Sequence, residues 1–129
     1  MNTHHTLNYL EFPACDLVAT RQFFEAVFGW SFQNYGPDYI AFSDRNLDGG
    51  FYQAPRGVCS RSAQGAALAV FYSDDLEASL AAVERAGGQV LKTIFEFPGG
   101  RRFHFAEPSG NEFAVWGLKS GVDEIKAEG

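Results

Sequence analysis

The chain has 129 residues, 46% hydrophobic and 16% aromatic, which is enough to bury one sizeable core and too short for two domains of ordinary size. Sixteen acidic against ten basic residues give a net charge of −6 with no basic stripe, so a nucleic-acid surface is not expected. No apolar run approaches the roughly 20 residues that cross a bilayer, and Met1-Asn2-Thr3-His4-His5 has neither the cationic start nor the apolar segment of a secretion signal; a soluble, cytoplasmic protein is expected, with no membrane partner.

From the N-terminus, His4 and His5 are adjacent near a chain end and read as solvated side chains rather than as a metal pair. Leu10-Glu11-Phe12-Pro13-Ala14-Cys15-Asp16-Leu17 reads as a short strand ending in Asp-Leu. Asp16 can cap a helix by accepting from a free backbone N–H. Leu17, Phe24, Val27 and Phe28 then fall on one stripe before Gly29 stops it. Tyr39 to Asp44 is the next clear strand, and residues 53–66 are small, polar and turn-rich, as a link should be. Cys15 and Cys59 lie far apart with no second pair, so reduced thiols are expected.

The pattern then starts again. In Ala69-Val70-Phe71-Tyr72-Ser73-Asp74-Asp75-Leu76, three residues repeat the first strand: Phe12 and Phe71, Asp16 and Asp75, and Leu17 and Leu76 are each 59 apart. Asp75 or Asp74 caps a second helix with the stripe Leu76, Leu80, Val83 and Ala86, stopped by Gly87-Gly88. Arg102 to Glu107 aligns with Tyr39 to Asp44 at an offset of 63, so the second copy has four extra residues, expected in the loop around Phe97-Pro98-Gly99-Gly100. Gly99-Gly100-Arg101-Arg102 precedes a strand rather than a helix and reads as a turn, not a phosphate cradle. Glu107-Pro108-Ser109-Gly110-Asn111 is a tight turn between two strands, and puts His104 on one face of a sheet. The reading is one domain over 1–129, with modules at approximately 5–54 and 66–117 and a tail at 118–129.

A duplicated βαβββ order, with Asp-Leu opening each helix, "FFEAVFGW" (Phe23–Trp30) closing the first and "EPSGNEFAVW" (Glu107–Trp116) forming the last hairpin, resembles the vicinal oxygen chelate superfamily. That group holds glyoxalases, bleomycin-resistance proteins, fosfomycin-resistance enzymes and extradiol dioxygenases. The resemblance implies an α+β fold in which two βαβββ modules form a curled eight-stranded mixed sheet, with helices on the outer face and a cleft inside. It also implies a two-fold dimer. Alternation along the strands agrees with this. Leu10, Phe12 and Ala14, Ala69 and Phe71, and Phe103 and Phe105 suit the helix side, while Tyr9, Glu11, Tyr39, Ala41, Val70, Tyr72, Arg102, His104, Glu112 and Trp116 face the cleft.

Family members that use a metal place ligands on the first strand of each module and on the last strand. Carried onto this chain, those positions are Tyr9, Leu68 and Ala114, and the end of the first module offers only Gly49-Gly50-Phe51-Tyr52. Leucine and alanine have no donor atoms, so no cofactor is expected, and a divalent metal would rest on Glu11 and His104 alone.

The inward set is an aromatic pocket with a few charges, suited to a small organic ligand. Tyr9, Tyr39, Tyr72 and Trp116 can stack on a planar molecule, and Arg102 and Glu112 can meet its polar groups. Glu11 and His104 are the candidates for proton transfer, because a carboxylate in an apolar cleft is poorly solvated and imidazole exchanges protons near neutral pH. The alternative for Glu11 is a polar bridge to Arg102 or to a tyrosine hydroxyl, and for His104 a ligand contact or a hydrogen-bonded packing role. Three functions follow from these residues. The chain is expected to be a metal-free small-molecule binder; the alternatives are a lyase or isomerase using Glu11 and His104 (or an atypical metal enzyme), and a non-enzymatic interaction module.

Overall fold

A computed structural model describes residues 2–119; the expected tail at 118–129 lies mostly outside the described residues. The elements run β1 (Tyr9–Ala14), α1 (Leu17–Phe28), β2 (Ser31–Asn34), β3 (Tyr39–Ser43) and β4 (Asp48–Gln53). A short 3-10 helix (Ser62–Gln64) interrupts the link, and β5 (Ala69–Tyr72), α2 (Leu76–Arg85), β6 (Gln89–Phe97), β7 (Gly100–Ala106) and β8 (Glu112–Gly117) repeat the order.

The helix signals act as their chemistry requires. The Asp16 carboxylate accepts from the Ala19 amide at 3.0 Å and the Asp75 carboxylate from the Ala78 amide at 3.1 Å, each satisfying a donor the helix leaves free. Gly29 closes α1 in the left-handed region, at a φ of 68°.

Each module forms its own four-stranded sheet, with matching orders β1-β4-β3-β2 and β5-β8-β7-β6. The first and last strands of a module are parallel and the other pairings antiparallel. The expected eight strands are present, but among the described residues no ladder joins β1 to β5, and the two sheets meet through side chains. Phe12 of β1 lies 5.0 Å from Phe113 of β8, ring centre to ring centre. Phe24 of α1 touches Phe51 in one sheet and Phe113 in the other, and Phe28 stacks on Phe71 at 4.0 Å. The strand parity holds: Phe12, Phe51, Phe103, Phe105, Phe113 and Val115 fill one core, leaving the other sheet faces for the polar set.

The four extra residues of module two lie in the strands and not in the loop. Strand β6 has nine residues where β2 has four, and its pairing with β7 shifts register twice, between Val90 and Lys92 and between Lys92 and Phe95. The connection itself is shorter than in module one. Gly100, which opens β7, lets β8 come close, because a Cβ there would sit 2.2 Å from the Gly117 carbonyl oxygen.

Candidate functional site

On the module-two face away from the core, three expected residues form one hydrogen-bonded row. His104 Nδ1 lies 2.7 Å from Glu112 Oε2, and the Arg102 guanidinium donates to His104 Nε2 from Nε at 3.2 Å and from a terminal nitrogen at 2.9 Å. A carboxylate only accepts and a guanidinium only donates, so the network assigns the imidazole proton to Nδ1 and the lone pair to Nε2. His104 is 4% exposed and Glu112 5%, which leaves Arg102 as the row's outer end. Its guanidinium lies over the rings of Phe95 and Phe97, at 5.9 and 5.7 Å from their centres. Tyr72 and Trp116 meet edge to face at 5.0 Å on the same side, and Phe97 packs on Trp116.

The inner oxygen of this row is held by the link between modules. Glu112 Oε1 accepts from both the amide and the hydroxyl of Ser62, each at 2.8 Å. Burial alone would raise the Glu112 carboxyl; the bonds from His104 and Ser62 outweigh it and hold it below the usual carboxylate range. Ser62 was not legible as a site residue, because a turn-rich link has no periodicity from which to assign a direction.

Module one carries a separate row. Tyr39 donates its hydroxyl to Glu11 Oε2 at 2.8 Å, and the hydroxyls of Tyr9 and Tyr39 are 2.6 Å apart. Burial first, and then these two bonds, push Tyr39 ionisation well above the ordinary tyrosine range. Gly50 makes the crossing possible, since a Cβ there would lie 1.9 Å from the Tyr39 hydroxyl oxygen. Of the two bridges open to Glu11, the structure has the tyrosine and not Arg102. Glu11 is also exposed, against the expectation of a poorly solvated carboxylate, because β1 is an edge strand on an open face. The two candidates for proton transfer, Glu11 and His104, thus belong to different hydrogen-bonded rows.

A third polar cluster went unread in the sequence. Glu107 and Asn111, from the last tight turn, are 2% and 0% exposed. Glu107 accepts from the Ser109 amide, from the Thr20 hydroxyl at 3.0 Å and from Asn111 at 2.9 Å, and Asn111 also donates to the Pro13 carbonyl at 2.7 Å. Burial pushes the Glu107 carboxyl up to about 7, against the pull of those bonds. The cluster ties the turn of module two to β1 and α1 of module one, and its only sequence signal was the turn composition.

At the positions where the resemblance implies metal ligands, Tyr9 is engaged with Tyr39, Leu68 and Ala114 carry no donor atoms, and Ala114 is paired with Val70 inside the sheet. Among the described residues, no group of three or more histidine, cysteine, aspartate or glutamate side chains is arranged to hold an ion. The residues at this position do not fit a divalent metal of the family type.

Comparison with known proteins places this geometry. The sequence pattern of the Glyoxalase/Bleomycin resistance protein/Dioxygenase superfamily matches residues 6–115. The anthracycline biosynthesis protein DnrV of Streptomyces peucetius is 29% identical over 125 residues, covering 84% of this chain and 45% of that protein, so the chain spans about half the length of the curated relatives it matches. The fold is shared with the fosfomycin resistance protein FosX of Mesorhizobium loti, at a TM-score of 0.72 and 14% identity over 95% of this chain and 99% of that one. TnmS3, an antibiotic binding protein from Streptomyces sp. CB03234, superposes at a TM-score of 0.65, with 16% identity over 92% of this chain and 99% of its own. The duplicated modules, their matched strand orders and the pattern running through nearly all the described residues have one reading: the chain belongs to the glyoxalase/bleomycin resistance protein/dioxygenase superfamily.

Proposed function

We propose that this protein binds a small planar organic molecule carrying an anionic or electron-rich group, and does so without a divalent metal. The observation that carries the reading is the fixed guanidinium of Arg102: two bonds to His104 set its direction, Glu112 anchors His104, and Phe95, Phe97, Tyr72 and Trp116 provide aromatic surface beside it. A pre-oriented charge next to ring faces suits a flat ligand with an acidic substituent. The relative named for anthracycline biosynthesis supports a planar aromatic ligand. With both ring nitrogens engaged, His104 acts as a strut for Arg102 rather than as a base, which supports binding over proton transfer by Glu11 and His104. The partner we assign besides the ligand is a second copy of the chain, covering exposed aromatic surface such as that of Tyr52. Free Cys15 and Cys59 suit the reducing cytoplasm.

Titration with 2-naphthoate and anthraquinone-2-carboxylate, read by tryptophan fluorescence, tests the reading. Saturable quenching is expected, lost in Trp116→Phe and weakened about tenfold or more in Arg102→Gln. The absence of saturable binding, or an Arg102→Gln variant that binds equally well, overturns it. Stoichiometric metal in the purified protein would overturn the metal-free part.

A further inference from the structure

The module-one row has a direction that nothing in the ligand reading above requires. Glu11 Oε2, as a carboxylate oxygen, only accepts, so the Tyr39 hydroxyl gives it its single proton. Tyr39 then has none left for Tyr9, and the 2.6 Å contact between the hydroxyls is made by the Tyr9 proton. Tyr9, the outer member and 43% exposed, is left with lone pairs only. Tyr9 and Tyr39 line a trough of about 580 Å³ on the inner face of the first sheet, where Ser31, Gln33, Ser43 and Asp48 are among the other lining residues. Among the described residues no lysine, arginine or histidine lines it, and the Asp48 carboxylate adds acceptors.

We propose that this trough selects a ligand group that donates a hydrogen bond, a hydroxyl or a phenol, with the Tyr9 oxygen as the receiving atom and Glu11 as the positioning residue that fixes its polarity. The inference rests on reading the inner sheet faces as ligand surface. It adds a second pole: module two offers donors at Arg102 and module one offers acceptors at Tyr9. A methyl ether, with no proton to give, meets two sets of lone pairs at the same place. Glu11→Gln removes the constraint, because an amide can donate to Tyr39 and let Tyr39 donate to Tyr9, turning the Tyr9 proton outward.

The test is an NMR titration of the amide spectrum with p-cresol and with 4-methylanisole, which share a ring and differ in the donor. Binding at β1 and β3 is expected to be about fivefold tighter for p-cresol. The preference disappears in Tyr9→Phe, and in Glu11→Gln it falls to unity or reverses, which a merely structural role for this exposed carboxylate would not produce. Equal affinity in the parent chain, an absence of binding at this trough, or a preference unmoved by Glu11→Gln overturns the proposal. A neutron structure checks the row without any ligand: the Tyr9 hydroxyl deuteron is expected between the two oxygens, and one pointing to solvent sinks the idea. The two proposals fail separately, because 2-naphthoate reports Arg102 and p-cresol reports Tyr9.

Discussion

His104 takes its role from its partners: Glu112 on the neighbouring strand meets its Nδ1, and Ser62 of the link holds the other oxygen of that carboxylate. His104→Leu leaves Glu112 buried without its imidazole and Arg102 without its guide, and a loss of about 3 kcal/mol in urea unfolding is expected. The two buried carboxylates of the last hairpin then bend the pH profile in opposite directions. Glu107 holds its proton to about 7 in the folded chain and to 4.5 outside it, so the unfolded chain ionises first and stability falls as pH rises from about 4.5 to about 7, by on the order of 3 kcal/mol. For Glu112 the folded value is lowered, so its contribution is held above the ordinary carboxylate range and lost as pH falls through the folded value. Stability should peak in mildly acidic buffer. Unfolding curves recorded across pH 3 to 8 check this: Glu107→Gln flattens the neutral side, and a parent chain that is most stable at pH 8 contradicts the assignment.

Both helices were readable because a cap is local chemistry: an aspartate, a stripe and a glycine occupy neighbouring positions and need no tertiary knowledge. Asp16→Ala and Asp75→Ala should each cost about 1 kcal/mol in thermal or urea unfolding, since each removes a side-chain acceptor from a helix start. The hairpin of β6 and β7 was less readable. Four additional residues at a turn-rich spot suggested a longer loop, whereas two register shifts absorb them within the ladder, and ladder irregularities depend on a neighbouring strand. Strand β4 supplies a sharper test, because Gly50 leaves room for the Tyr39 ring to cross. In Gly50→Ala the methyl displaces that ring and breaks the bond to Glu11. Tyrosine ionisation followed by ultraviolet absorbance should then show one side chain returning toward its ordinary range.

At the level of the whole molecule, the repeat at an offset of 59 fixed the architecture, and parity along each strand sorted the core from the inner faces. How the halves meet was beyond that reasoning. Phe23–Trp30 was read as the aromatic stretch that closes the first helix, and it is also the splice between the sheets, with Phe24 against Phe51 on one side and Phe113 on the other. Phe24→Ala is therefore expected to cost about 4 kcal/mol and to lower both halves together, in one unfolding transition seen alike by fluorescence and circular dichroism. The site followed the same division: which residues face inward came from parity together with the family resemblance, but the grouping into an Arg102 row and a Tyr9 row came only from cross-strand neighbours. Because the two sheets touch without sharing a ladder, β1 and β5 are edge strands, and among the described residues no further strand pairs with the outer margin of either. In heavy water the amides on those outer margins should take up deuterium ahead of their neighbours in β4 and β8, marking where each module's ladder ends.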